Sequence, residues 1–67
     1  MELKLIENCI DYVIVEKGDV KYELQVDKGK FNGTVIELGM FKERVIQTRT
    51  EKQPIVLAAL EKGWIEI

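Results

Sequence analysis

The stretch EKGDVKYELQV (residues 16–26) decides the fold, because its apolar and polar side chains alternate strictly after the glycine. One parity is apolar and consists of Val20, Tyr22, Leu24 and Val26, whereas the residues between them are charged or carry an amide. Successive side chains of a strand point to opposite faces of a sheet. The stretch therefore predicts a strand with one buried face and one solvated face.

The residues Gly18 and Asp19 predict a hairpin between this strand and the preceding YVIVEK (residues 12–17). Glycine at the first position of a two-residue loop suits a type II′ turn, whose twist matches that of a hairpin. A loop one residue earlier would set Glu16 opposite Asp19, and such a like-charge pair is unfavourable. The favoured register has four cross-strand pairs: Lys17–Val20, Glu16–Lys21, Val15–Tyr22 and Val13–Leu24.

A second turn at Lys28 and Gly29 predicts a third strand, which completes a meander over residues 10–38. Its expected cross-strand pairs are Asp27–Lys30, Val26–Phe31 and Tyr22–Val35. This register gives one coherent core face, made of Val13, Val15, Tyr22, Leu24, Val26, Phe31 and Val35.

The opposite face of the meander is unexpectedly apolar. It carries Tyr12, Ile14, Ile36 and Leu38 around Lys21 and Glu23. A bulge at Asn32 and Gly33 would turn Ile36 and Leu38 to the core face. Otherwise, closure into a barrel, the C-terminal helix or a partner chain is expected to cover this second face.

The flanking segments predict two more strands and one helix. MELKLIE (residues 1–7) alternates as a strand, and residues 40–50 favour a strand although Phe41 and Val45 also have helical spacing. A helix capped by Thr50 would place Pro54 at its fourth position, where proline is unfavourable. We therefore expect the helix over 54–62, with Pro54 first, Gln53 as its cap and Gly63 as its stop. WIEI (residues 64–67) is then a short terminal strand.

The sequence thus predicts one small domain over residues 1–67, mainly β or α+β. The expected form is an antiparallel barrel or sheet of about five to six strands with one C-terminal helix. The order of its elements resembles the SH3-like small-barrel architecture. That architecture hosts unrelated functions, so the resemblance implies a fold and no particular role.

Size and composition predict a protein that associates. A chain of 67 residues with a single cysteine has a small core and no intrachain disulfide. Association with another chain is a usual remedy, so we expect a homo-oligomer. The lone cysteine and the absence of a targeting signal favour the cytoplasm, and no apolar run approaches the ~18 residues of a membrane span.

The residue types argue against catalysis. The sequence contains neither histidine nor serine, so Ser–His and Cys–His nucleophilic sites cannot be built within it. One cysteine supplies one soft ligand, which excludes zinc sites of the Cys and His type. We therefore expect no catalytic residues, no metal and no cofactor, and we interpret the chain as a binding protein.

Two binding surfaces follow from the pattern. The apolar residues of the expected helix cover a sector too wide for one buried stripe. With the second sheet face they predict a protein interface, formed by Tyr12, Ile14, Ile55, Val56, Leu57 and Leu60. The alternative is a site for single-stranded nucleic acid in the basic stretch, formed by Lys42, Arg44, Arg49 and Lys52. The net charge of −2 makes this the weaker hypothesis.

Overall fold

A computed structural model of the chain describes residues 3–67 and shows one antiparallel sheet followed by one helix. The five strands are neighbours in sequence order: β1 (Leu3–Asn8), β2 (Tyr12–Lys17), β3 (Val20–Asp27), β4 (Lys30–Leu38) and β5 (Glu43–Val45). The helix α1 spans Arg49–Glu61. The predicted class, mainly antiparallel sheet with one C-terminal helix, is confirmed. The strand order is that of an open sheet, and no pairing of β1 with β5 closes it into a barrel among the described residues.

The β2–β3 hairpin has the predicted register. All four expected cross-strand pairs are present, from Lys17–Val20 to Val13–Leu24. Gly18 has a φ of 65° and Asp19 lies outside the positive-φ region, as a type II′ turn requires. The alternation of the opening stretch and one glycine were sufficient to fix this hairpin.

The β3–β4 pairing departs from the prediction beyond its turn. The pairs Asp27–Lys30 and Val26–Phe31 are present, but Leu24 pairs with Val35, so the expected pair Tyr22–Val35 is wrong. Between these pairs β3 has one residue and β4 has three, residues 32–34. Gly33 makes this irregularity possible with a φ of 101°, and Asn32 Oδ1 accepts a hydrogen bond from the Thr34 N–H at 2.9 Å.

The irregularity in β4 leaves the two faces of the sheet unchanged. It inserts two residues, an even number, so Val35 stays on the core face and Ile36 stays on the other. Of the two alternatives for Ile36 and Leu38, the turn towards the core therefore does not occur. We call the face that carries Tyr12, Ile14, Ile36 and Leu38 the back face.

The core lies between the sheet and α1. It is entirely apolar, and no polar or charged residue in the described part of the chain is buried. Its members come from the sheet, from α1 and from the segments that flank α1, namely Leu3, Val13, Val15, Leu24, Val26, Val35, Ile46, Ile55, Ala59 and Ile65. Because α1 covers only one face, the back face has no second layer from the described chain.

The helix begins five residues before the predicted start, so the expected boundary at Pro54 and the cap at Gln53 are wrong. The cap is Thr48, whose Oγ1 accepts a hydrogen bond from the Glu51 N–H at 3.3 Å. Pro54 is then an internal residue, and its missing N–H leaves the Thr50 carbonyl without its helical donor. Both residues are exposed, so water can bind that carbonyl.

The end of α1 agrees with the prediction. Gly63 has a φ of 77°, and its N–H donates to the Leu60 carbonyl at 3.1 Å. The Trp64 N–H donates to the Ala59 carbonyl at 3.0 Å, which completes a Schellman motif. The motif returns the chain to the sheet, where Trp64 packs half-buried against the core.

The expected terminal strand WIEI is reduced to a single bridge. Glu66 lies parallel to Lys30, and its carbonyl accepts a hydrogen bond from the Phe31 N–H at 2.7 Å. Its own N–H donates to the Gly29 carbonyl at 3.1 Å. The bridge fixes the last residues beside the start of β4.

Candidate functional site

The helix residues of the predicted protein interface lie on two different sides of α1. Ile55 is buried in the core of its own chain. Val56 and Leu60 are half-buried, whereas Leu57 keeps 55% of its surface exposed. Ile55 therefore contributes to folding, and the other three line the accessible side of the helix.

The remaining two residues of that predicted interface lie on the back face of the sheet. Tyr12 and Ile14 alternate with the buried Val13 and Val15, so they point away from α1. The structure therefore does not bring them together with Leu57. The predicted interface divides into two surfaces on opposite sides of the sheet.

A groove of about 450 Å³ lies between the accessible side of α1 and the first half of β4. We call it the α1–β4 groove. Its apolar lining consists of Phe31, Val56, Leu57, Leu60 and Ile67. Its polar lining consists of Gln47, Arg49, Lys52 and Gln53, with Gly33 on the strand side. The volume falls within the range of protein binding sites.

The groove exists because the sheet is incomplete beside β4. The short strand β5 pairs only with Ile36, Glu37 and Leu38, in the second half of β4. No strand of the described chain covers residues 32–34 on that side. Gly33 has no side chain to fill the space, and a Cβ placed there would meet no atom within 4 Å.

The apolar lining of the groove is accessible to a ligand. Leu57 is 55% exposed and Ile67 is 82% exposed, while Phe31, Val56 and Leu60 are half-buried beneath them. These side chains form an apolar wall that a ligand in the groove would contact.

The charge at the groove is positive. Arg49 and Lys52 lie in the first turn of α1, where the helix dipole adds a partial positive charge. The Lys52 Nζ donates a hydrogen bond to the Gly33 carbonyl at 3.0 Å, which holds this cation across the groove. Within residues 3–67, no carboxylate side chain lines the groove.

The other cations of the basic stretch are placed differently. Arg44 lies on β5, and its Nη2 forms ion pairs with Glu37 Oε1 at 3.0 Å and Glu51 Oε2 at 3.2 Å. Hydrogen bonds to these two carboxylates raise the pKa of Arg44. Lys42 precedes β5, at the opposite end of that strand from Arg49. Of the four residues proposed for nucleic acid, only Arg49 and Lys52 share the groove.

Sequence reasoning missed one exposed pair. Met40 and Phe41 lie in the turn between β4 and β5 and are 92% and 96% exposed. The Gly39 N–H donates to the Lys42 carbonyl at 3.1 Å and holds the two side chains at the tip of the turn. Two large apolar residues between two strands, directly after a glycine, were the available signal.

Sequence reasoning also missed the contribution of Ile67 to the groove. Its place there depends on the bridge of the preceding residue, Glu66, to the start of β4. No pattern in the sequence signals that contact.

Two tyrosines have perturbed acidity. Hydrogen bonding with the side chains of Cys9 and Glu7 raises the pKa of Tyr12 on the back face. Desolvation, followed by the charge of Glu37, raises the pKa of Tyr22 on the core side of the sheet. Both phenols stay neutral at physiological pH, so neither supplies a base.

No group of three or more carboxylate or thiol side chains is arranged to hold a metal ion within residues 3–67. In the same part of the chain, no helix is long and apolar enough to cross a membrane.

Comparison with known proteins gave no relative. No protein-family model matches the sequence, and no curated protein or solved structure shows significant similarity to it.

Proposed function

We propose that this chain is a small non-enzymatic binding protein, which docks on a larger protein partner through the α1–β4 groove. One observation carries the proposal: an apolar groove of about 450 Å³ at which Leu57 is 55% exposed. Because only 55% of Leu57 remains to be covered, burying it stabilises a complex by roughly half of the 1.5–3 kcal/mol that a fully exposed side chain of this size gives. The groove therefore offers a partner more apolar contact than the rest of α1.

Whether such a partner binds through the groove is tested by capture from an extract of the source cells. The immobilised chain is compared with two variants. Leu57→Asp places a charge on the groove. Glu61→Gln is the matched control, because Glu61 is an exposed residue of α1 that does not line the groove. We expect a protein that binds the wild type and the control in stoichiometric amounts and is lost with Leu57→Asp. Circular dichroism checks that both variants fold, and capture that never depends on Leu57 contradicts the proposal.

Self-association is the second part of the proposal, and the back face supports it. Tyr12, Ile14, Ile36 and Leu38 are half-buried there, and Val45 beside them is 46% exposed. Symmetric pairing of identical surfaces is the commonest form of oligomer. We expect sedimentation equilibrium to show a dimer that Ile14→Lys converts to a folded monomer and that Leu57→Asp leaves intact. A wild-type monomer at high concentration contradicts this part.

Binding of single-stranded nucleic acid is the alternative function. It is favoured by Arg49 and Lys52, which form no ion pair within residues 3–67 and line the groove together with Phe31. Arg44 is engaged by two carboxylates, which weakens this alternative. Fluorescence anisotropy of labelled single-stranded RNA and DNA tests it. Tight binding that collapses as salt rises supports the alternative, because phosphate binding releases counterions.

A further inference from the structure

The side chains that line the α1–β4 groove change in character along the helix. Arg49, Lys52, Val56 and Leu60 are three or four residues apart, so they form one row on the surface of α1. The first two members of this row are cations and the last two are apolar. The groove therefore offers positive charge near the start of α1 and an apolar surface towards its end.

Neither cation of this row has an acidic residue three or four positions away on α1. The residue four positions after Arg49 is Gln53, and the residue four positions after Lys52 is Val56. Glu51, the acidic residue of the first turn, is engaged by Arg44 at 3.2 Å. Within residues 3–67 no carboxylate side chain forms an ion pair with Arg49 or Lys52, so both can attract an acidic group from outside, although the chain as a whole carries a net charge of −2.

We propose that the groove receives an extended acidic segment of a protein partner. A carboxylate side chain of the segment meets Arg49 and Lys52, and a bulky aliphatic side chain enters beside Val56 and Leu57. This inference rests on the proposed function, since it names the kind of partner that the same groove takes. Charge complementarity and the graded lining are the observations that support it.

The spacing along α1 predicts the pattern in the segment. Lys52 and Val56 are four residues apart, which is about 6 Å at 1.5 Å per residue of helix. Two residues of extended chain cover about 6.6 Å, and side chains two positions apart point to the same side. We therefore expect an acidic residue two positions from a bulky aliphatic residue.

The lining favours a peptide over nucleic acid. Four of its apolar residues are aliphatic, namely Val56, Leu57, Leu60 and Ile67, and Phe31 is its aromatic residue. Single-stranded nucleic acid is held by successive aromatic side chains on which bases stack. An aliphatic lining beside two cations instead suits an aliphatic side chain next to a carboxylate.

Selection from a phage-displayed library of random peptides tests the inference with four forms of the full chain: the wild type, Arg49→Glu with Lys52→Glu, Leu57→Asp, and the control Lys21→Glu with Lys42→Glu. The control changes the net charge equally at two exposed cations outside the groove. We expect the wild type and the control to enrich peptides with the acidic and aliphatic pattern. The groove double variant should bind those peptides at least tenfold more weakly and should enrich basic peptides in their place.

The remaining outcomes separate this inference from the proposed function. Peptides that lack acidic residues but depend on Leu57 overturn the inference and leave the groove as a docking site. Peptides that bind Leu57→Asp as well as the wild type, or no enrichment at all, overturn both. Single-stranded RNA that binds the wild type more tightly than the selected peptides do, at low and at moderate salt, and that loses this binding in the groove double variant overturns the inference in favour of nucleic acid.

Discussion

The two long sides of α1 differ although their residues are interleaved. Ile55 and Ala59 are 4% and 0% exposed on the side that packs against the sheet, whereas Leu57 is 55% exposed on the side that lines the groove. Apolar residues occur on both sides, so the sequence alone shows one wide apolar sector. The difference teaches that the sector has two parts: one side stabilises the fold, and the other leaves apolar surface exposed, where we propose that a partner docks.

The largest expected difference in the free energy of unfolding is between two single variants, each of which shortens one apolar side chain on one side of α1. Ile55→Ala removes buried methyl groups and leaves a cavity, so we expect it to lower the free energy of unfolding by about 2–5 kcal/mol. Leu57→Ala removes an exposed side chain, and we expect a change within about 0.5 kcal/mol. Urea denaturation measures both. Equal losses would show that the two sides do not differ as described.

A smaller effect is expected at the start of α1, where the cap supports the cationic end of the groove. Thr48→Ala removes the acceptor of the Glu51 N–H, and we expect a loss of about 1 kcal/mol in the free energy of unfolding. Thr50→Ala is the matched control, because Thr50 is exposed within the first turn and is not the cap. Thermal denaturation followed by circular dichroism compares them, and a control as destabilising as Thr48→Ala would argue against the cap.

The smallest effect concerns pH and the core side of the sheet. Because the folded chain raises the pKa of Tyr22, its phenol is neutral in both the folded and unfolded states below the ordinary value of about 10. Above that value the unfolded state loses this proton first, so stability falls as pH rises. Between pH 9 and 11 we expect the free energy of unfolding of Tyr22→Phe to decline less steeply with pH than that of the wild type. Denaturation experiments at several pH values measure both. Parallel curves would contradict the raised pKa.

The sequence was sufficient for features set by local chemistry. Strict alternation and Gly18 determined the β2–β3 register, and Gly63 determined the end of α1. These features depend on the backbone geometry of a few adjacent residues. They could therefore be predicted without knowledge of the rest of the chain.

The features that the sequence did not reveal depend on competition or on distant contacts. Proline at the first helical position was a reasonable expectation, but the Thr48 cap adds a turn that outweighs one missing bond at Pro54. To predict the irregularity in β4, one would have to know that two residues, not one, are inserted beside Gly33. The groove depends on how far β5 extends along β4, which no local pattern encodes.

The most direct test of the account is a titration of the ¹⁵N-labelled chain with the most enriched selected peptide, followed by amide chemical shifts. Binding in the α1–β4 groove predicts shifts at Phe31, Gly33, Val56, Leu57 and Leu60, with Tyr12 and Ile14 unchanged. Shifts concentrated on Tyr12, Ile14 and Ile36 would place binding on the back face and contradict the claim that the accessible side of α1 is the docking surface.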